Sequence, residues 1–176
     1  MQDKRTAREP IGIAAARIQY AALCWRRYDD IIEILLITSR DTGRWIIPKG
    51  WPMAGLAPEA AAAQEAWEEA GVEGQINPVC LGRYGYHKDL GDNASVPCAV
   101  AVYGLKVQRL ADKYPEAKER RRAWFSPRDA ADLVDEPELA RLLEGFEPPA
   151  EGRPRPIAGD PGEAAPLGRR PGTGAR

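Results

Sequence analysis

The stretch that most constrains this chain runs from Pro48 to Val72, where a proline- and glycine-bracketed loop leads into one strongly specified helix. Pro58 suits the first turn of a helix, where a missing N–H removes no hydrogen bond. Ala60, Ala61, Ala62 and Ala63 follow, the residue type of highest helix propensity, and Gly71 is the expected left-handed stop. At about 100° per residue, Glu65, Glu68 and Glu69 share one face, at i, i+3 and i+4. Ala60, Ala63, Trp67 and Ala70 fall on the opposite face, which is expected to pack on a core.

Like charges at this spacing repel by roughly a few tenths of a kcal/mol per pair, and a bound cation reverses that sign. Carboxylates at this density suit a hard, oxygen-loving ion such as Mg2+ or Mn2+. A solvated helix face carries glutamates at the same spacing, so the spacing by itself leaves both readings open.

The segment resembles the signature box of the Nudix hydrolases, which runs Gly, five residues, Glu, seven residues, then Arg-Glu-apolar-x-Glu-Glu-x-Gly-apolar. Gly50 takes the opening position, and Glu65-Ala66-Trp67-Glu68-Glu69-Ala70-Gly71-Val72 reproduces the closing half in register. Two positions depart: Leu56 stands at the box glutamate and Gln64 at the box arginine. The resemblance implies an α+β fold of α/β/α layers, with a mixed sheet between helices, and hydrolysis of a phosphoanhydride with Mg2+, or alternatively Mn2+. It implies Glu65, Glu68 and Glu69 as metal ligands together with the backbone carbonyl of Gly50. Glu68 is the expected catalytic residue, orienting or deprotonating the attacking water. In the family the box arginine positions glutamates; Gln64 donates hydrogen bonds but brings no charge.

The wider run ARIQYAALCWR, ILLITSRDTGRWIIPKG, QEAWEEAGV and RRRAWFSP is similar to the diphosphoinositol polyphosphate phosphohydrolase branch over residues 15–145. That resemblance implies a densely anionic small-molecule substrate, a diphosphoinositol polyphosphate or a dinucleoside polyphosphate, with Arg17, Ser39 and Arg40 as phosphate contacts. Lys49 adjoins Gly50 and acts as a point charge on a phosphate. Arg26 and Arg27 read as a solvated turn. Trp51 and Tyr86 are able to stack a base, which leaves a nucleotide sugar or a nucleoside triphosphate open as substrate. His87 faces either the substrate or solvent. A phosphate-binding module without turnover is a further alternative, supported by Gln64 and Leu56.

The rest of the chain is consistent with one domain of this kind. Arg17–Trp25 and Ile31–Ser39 read as a hairpin, Trp45–Ile47 as a short strand, and Gln75–Gly82 with Tyr84–Lys88 as a bent extended stretch. Val96–Val107 returns as a long strand, with Pro97 placing its start at an edge or bulge. Residues 108–119 read as charged turns and Arg121–Phe125 as a strand. Ser126-Pro127 opens one helix, and Glu136–Gly145 forms another. Strands around a helix, followed by helices, indicate an α+β or layered α/β domain. Residues 1–14 read as a flexible lead-in and 15–146 as the domain. From Glu147 onward 7 prolines, 6 glycines and 5 arginines indicate a disordered tail. The formal net charge of -1 gives no bulk attraction to nucleic acid or membrane. The polar N-terminus does not read as a signal peptide, and three widely spaced cysteines suit a reducing, cytoplasmic setting. Oligomeric state is not legible.

Overall fold

The sheet is assembled from antiparallel hairpins joined through one parallel pair. The computed structural model describes residues 16–150, so the expected lead-in (1–14) and the tail from 151 onward lie outside them. Strand β1 (Arg17–Tyr28) turns back into β2 (Ile31–Thr38) through Asp29 and Asp30, both at positive φ (46° and 64°). Two such residues give a turn whose twist matches the flanking strands. Strands β3 (Trp45–Ile46) and β4 (Lys49–Gly50) lead to helix α1 (Pro58–Ala70). The long hairpin of β5 (Val72–Gly91) and β6 (Ala94–Leu110) precedes β7 (Arg122–Phe125) and helices α2 (Pro127–Leu133) and α3 (Pro137–Glu144).

The strands form one seven-stranded sheet in the order β3-β2-β1-β6-β5, with β4 added on β1 and β7 on β2. β1 and β6 run parallel, Arg17 opposite Cys98 and Trp25 opposite Lys106, while the other pairings are antiparallel. Because side chains alternate along a strand, each central strand feeds two cores. Leu23, Trp25, Ile34, Leu36, Val100 and Val102 meet Ala130, Val134, Leu139, Leu143 and Phe146 from the α2–α3 side. Ala22, Cys24, Leu35, Ile37, Ala101, Tyr103 and Leu105 meet Ala62, Ala66 and Ala70 of α1. The result is the expected α+β fold, a mixed sheet between helical layers.

One local expectation needs correction. The buried face of α1 is Ala61, Ala62, Ala66 and Ala70 together with Glu69, whereas Trp67 is only half-buried. The carboxylates therefore border the core face instead of opposing it. The extended stretch before Asp89 is one continuous strand, absorbed into β5 by register shifts between Glu73 and Gly74, Ile76 and Cys80, and Cys80 and Gly82. Each extra residue bends a strand without ending it. Pro97 sits just beyond the β1 pairing, which starts at Cys98, so its missing N–H breaks no ladder bond on that side. Ser126 caps α2 as expected, accepting from the Asp129 N–H at 3.1 Å.

Candidate active site

Backbone pairing brings the Pro48–Gly50 loop onto the sheet and under α1. The Ala22 N–H donates to the Pro48 carbonyl at 3.0 Å, and β4 pairs with β1 as Tyr20 with Gly50 and Ala21 with Lys49. Gly50 then lies against the Glu65 carboxylate so closely that a Cβ there would sit 1.8 Å from Oε1. A Cβ there would push the Glu65 carboxylate aside, so the glycine is what lets that carboxylate rest on the loop. At the far end of α1, Gly71 takes φ 65° and its N–H bonds the Trp67 carbonyl at 2.9 Å.

The three helix glutamates have different surroundings. The Glu65 carboxyl is pushed up to about 7, first by burial and then by Glu69, Glu68 and Glu116. Glu68 is half-buried, and its Oε1 accepts from Gln64 Nε2 at 2.8 Å. Glu69 is buried with both oxygens engaged: Oε1 accepts from Arg120 Nη2 at 2.6 Å and Oε2 from the Lys49 N–H at 3.1 Å. Burial raises the Glu69 carboxyl, against the pull of Arg120 and Lys49.

The segment between β6 and β7 completes this cluster. The Glu116 N–H donates to the Glu68 carbonyl at 3.0 Å, and the Ala111 N–H to the Gly71 carbonyl at 2.8 Å. Arg122 Nη1 donates to the Ala70 carbonyl at 2.6 Å. These donors satisfy carbonyls that a helix end leaves without internal partners. Arg120 also bonds Glu116 Oε2 at 2.5 Å and the Thr38 carbonyl at 3.0 Å. A fourth carboxylate and a guanidinium thus join the site from a segment that reads as charged turns. Neither residue carries a local signal, because nothing in their spacing refers to α1.

The donor set suits a hard divalent ion: carboxylate oxygens, one pressed on a glycine backbone, with a proton affinity raised first by burial and then by the neighbouring carboxylates. Among the described residues no three acidic, histidine or cysteine side chains already converge as a metal cage. Glu68 is turned to Gln64 and Glu69 to Arg120. Glu65, Glu68 and Glu116 are the carboxylates with exposed area, and Glu69 meets an ion only by sharing or releasing one of its present bonds.

The expected phosphate contacts fall in two groups. Arg17 lies over the Trp51 ring, 5.9 Å from its centroid, and Lys88 Nζ lies over the same ring at 4.9 Å. Lys49 Nζ lies 5.0 Å from the Tyr86 ring centroid, and the Tyr86 hydroxyl donates to Gln19 Oε1 at 2.6 Å. Burial pushes the Lys49 ammonium below its ordinary value, partly offset by Glu69. Ser39 and Arg40 sit apart from these, on a crevice of about 260 Å3 that Lys118 and Arg121 also line. There Ser39 shares a hydrogen bond with Thr42 at 2.6 Å, and Arg40 pairs with Glu119 at 3.2 Å and with Glu116 at 3.6 Å. His87 is exposed, and strand alternation turns it away from its neighbours Tyr86 and Lys88. Lys88 is the cation that sequence reasoning passed over.

A layered mixed sheet with glutamates from one helix gathered against a glycine loop defines a hydrolase of the Nudix class, and comparison with known proteins agrees. The NUDIX domain model matches residues 17–146, and the chain belongs to that family. The chain is 30% identical to Bos taurus diphosphoinositol polyphosphate phosphohydrolase 3-beta, over 80% of its own length and 88% of the relative's. It is 31% identical to Arabidopsis thaliana Nudix hydrolase 12, mitochondrial, over 65% of its own length and 58% of that relative's. Among solved structures, C. elegans Ap4A hydrolase superposes with a TM-score of 0.52 at 20% identity, covering 73% of this chain and 94% of that one. The E. coli dihydroneopterin triphosphate pyrophosphohydrolase gives a TM-score of 0.58 at 14% identity, covering 75% and 95%. At these identities the structures speak to the fold. Nudix hydrolases as a family use divalent metal ions.

Proposed function

We propose that this enzyme is a Mg2+-dependent pyrophosphohydrolase that cleaves a phosphoanhydride in a densely phosphorylated small molecule, a diphosphoinositol polyphosphate ahead of a dinucleoside polyphosphate. The observation that carries the reading is the Glu65 carboxylate seated on Gly50, with Glu68, Glu69 and Glu116 around it. Mg2+ bound among these groups supplies charge neutralisation of the pyrophosphate and a lowered pKa for a bound water. Glu65, Glu68 and the Gly50 carbonyl are assigned to hold it, with Glu69 behind them.

Glu68 keeps one oxygen on Gln64 and leaves the other to orient the attacking water or take its proton. Lys49, Arg17 and Lys88 flank the Gly50 loop and supply positive charge to phosphates beyond the scissile pair. Cations already lie over Trp51 and Tyr86, the aromatic rings beside this loop. That arrangement supports a substrate end bearing phosphates over one bearing a stacked base. The names of the mammalian relatives point the same way. Ser39 and Arg40, with Lys118 and Arg121 on the neighbouring crevice, are the proposed reach of the site toward more distant phosphates.

No helix among the described residues is long and apolar enough to cross a membrane. The exposed free thiol of Cys80 supports a cytoplasmic, reducing setting. No nucleic-acid polymer or membrane partner is proposed. The proposed domain spans residues 15–146, with a dispensable tail from 147.

The test is hydrolysis of a diphosphoinositol polyphosphate and a diadenosine polyphosphate side by side with Mg2+, in wild type and Glu68→Gln. Turnover is expected on the inositol substrate first. It should fall in Glu68→Gln by about 10²–10⁴-fold, the usual worth of general-base action, with an unchanged melting temperature. Preference for the diadenosine compound would reverse the substrate order. Hydrolysis of neither, nor of any nucleotide sugar, would leave a binding module.

A further inference from the structure

The geometry assigns Arg120 a positioning role: from the β6–β7 connection it supplies the buried cation that holds Glu69 and Glu116 in the carboxylate cluster of α1. The inference rests on the metal-site reading above and deepens it. Three observations carry it. First, the Arg120 guanidinium spends each of its nitrogens on a different part of the molecule. Nη2 donates to Glu69 Oε1 at 2.6 Å, Nε to Glu116 Oε2 at 2.5 Å, and Nη1 to the Thr38 carbonyl at 3.0 Å. Second, its side chain is only 6% exposed, against 9% for Glu69 and 21% for Glu116. Third, Gln64 on α1 itself reaches only Glu68 and carries no charge.

Stability alone does not explain such a residue. A buried ion pair is often matched or exceeded in stability by apolar side chains of similar volume, because desolvating two charges offsets their attraction. What the planar guanidinium provides, and an apolar residue cannot, is direction. It fixes the Glu69 rotamer through one oxygen while the Lys49 N–H fixes the other. It also holds Glu116 against the turn of α1 whose Glu68 carbonyl accepts the Glu116 N–H. Partners that orient ligating carboxylates typically change metal affinity by about 10–100-fold when removed. Arg120 does not touch the water or the scissile bond in this arrangement, so its effect is exerted through Glu69 and Glu116.

The test measures Mn2+ affinity without substrate, by the electron-paramagnetic signal of free Mn2+, in wild type, Arg120→Lys, Arg120→Met and Leu139→Ala. Arg120→Met should weaken Mn2+ binding by roughly 100-fold. Arg120→Lys keeps the charge but has no fork to serve two carboxylates at once, and should weaken it by roughly 10-fold while remaining folded. In Arg120→Lys, raising Mn2+ should restore most of kcat with little change in KM. Leu139→Ala, a stability change on the other face of the sheet, should bind Mn2+ as wild type does. Wild-type affinity in folded Arg120→Lys overturns the assignment, as does an equal loss in Leu139→Ala. If Arg120→Met fails to fold, Arg120→Lys decides. A wild type that binds no Mn2+ removes the metal site itself and this inference with it; a wild type that binds while the arginine variants match it removes only this inference.

Discussion

The two helical layers that flank the sheet are packed from different materials. On the α2–α3 side the contact is large and apolar: Leu139, Leu143 and Phe146 close over Leu23, Trp25, Leu36 and Val102, with the Trp25 and Phe146 rings 5.7 Å apart. On the α1 side the helix offers Ala62, Ala66 and Ala70. Packing distance follows the size of the side chains at the contact. An alanine face lets the α1 backbone settle close to the sheet, which carries Glu65 onto Gly50 and Glu69 beneath the surface. A leucine helix in that place would lift the carboxylates out of reach of the loop. The difference teaches that the layer bearing the chemistry gains position from its small side chains, and that the opposite layer contributes more of the apolar burial.

The buried glutamates of the two layers show the same contrast. Glu69 and Glu136 are equally covered, each 7% exposed, and each meets an arginine. Glu69 has both oxygens bonded, whereas Glu136 Oε2 has no hydrogen-bond partner among the described residues, its Oε1 being paired with Arg44. On α1 the carboxylate is fully oriented; at the start of α3 one oxygen is left unanswered.

The comparison breaks most sharply by cutting into the leucine layer. Leu139→Ala removes a fully buried side chain and should cost about 3 kcal/mol, within the usual range for such cavities. Thermal unfolding should shift down by roughly 10 °C for a domain of this size, while turnover per folded molecule stays within about twofold. A large activity loss would mean that the two layers are coupled. The converse change, Ala66→Leu, overpacks the α1 contact and should cost about 2 kcal/mol. Here turnover should fall at least about tenfold even well below the melting temperature, because a misplaced α1 misplaces the glutamates, and about 1.4 kcal/mol of barrier is already a factor of ten. Retained activity would show that the close approach of α1 is dispensable.

A smaller effect distinguishes the charge in the two layers. In metal-free protein Glu65 titrates at about 7 against an ordinary value of 4.5. Between those values the folded state holds a proton that the unfolded state has lost, so stability should decline as pH rises from 4.5 towards 7 and level off above. Solvent access to Glu65 reduces the size of the slope. Urea unfolding across that window should show it, and Glu65→Gln should flatten it; an unchanged slope in the variant would place the titration elsewhere. The smallest change is expected from Gln64→Arg. Arg120 already answers Glu69, so a second guanidinium should leave turnover unchanged or raise it by up to about threefold, the scale of an exposed ion pair of under about 1 kcal/mol. A steep loss would show that the Gln64–Glu68 bond is specific to this site.

Much of the molecule was legible because its rules are local. Helix period places Glu65, Glu68 and Glu69 together from their spacing alone, Pro58 and Gly71 bound the helix, and Ser126 with Pro127 starts the next one. The signature around Gly50 points to the family and the fold. The buried edge of α1 is not legible in the same way, since four of the thirteen helix residues are glutamates and periodicity cannot say how far a small-residue face sinks toward a sheet. The bent extended stretch of the sequence is one strand, β5, whose register shifts bend the ladder without ending it.

The sequence by itself determined which helix carries the acidic patch, which glycine it faces, and which family the chain joins. Tertiary structure alone decided that Glu116 and Arg120 complete the patch, that Lys88 stands with Arg17 over Trp51, and that Ser39 and Arg40 open onto a crevice that Arg120 also lines. Arg120 and Glu69 are 51 positions apart, separated by the whole β5–β6 hairpin. Their meeting depends on where that hairpin returns the chain, and such long-range closure leaves no period or spacing in the residues that take part.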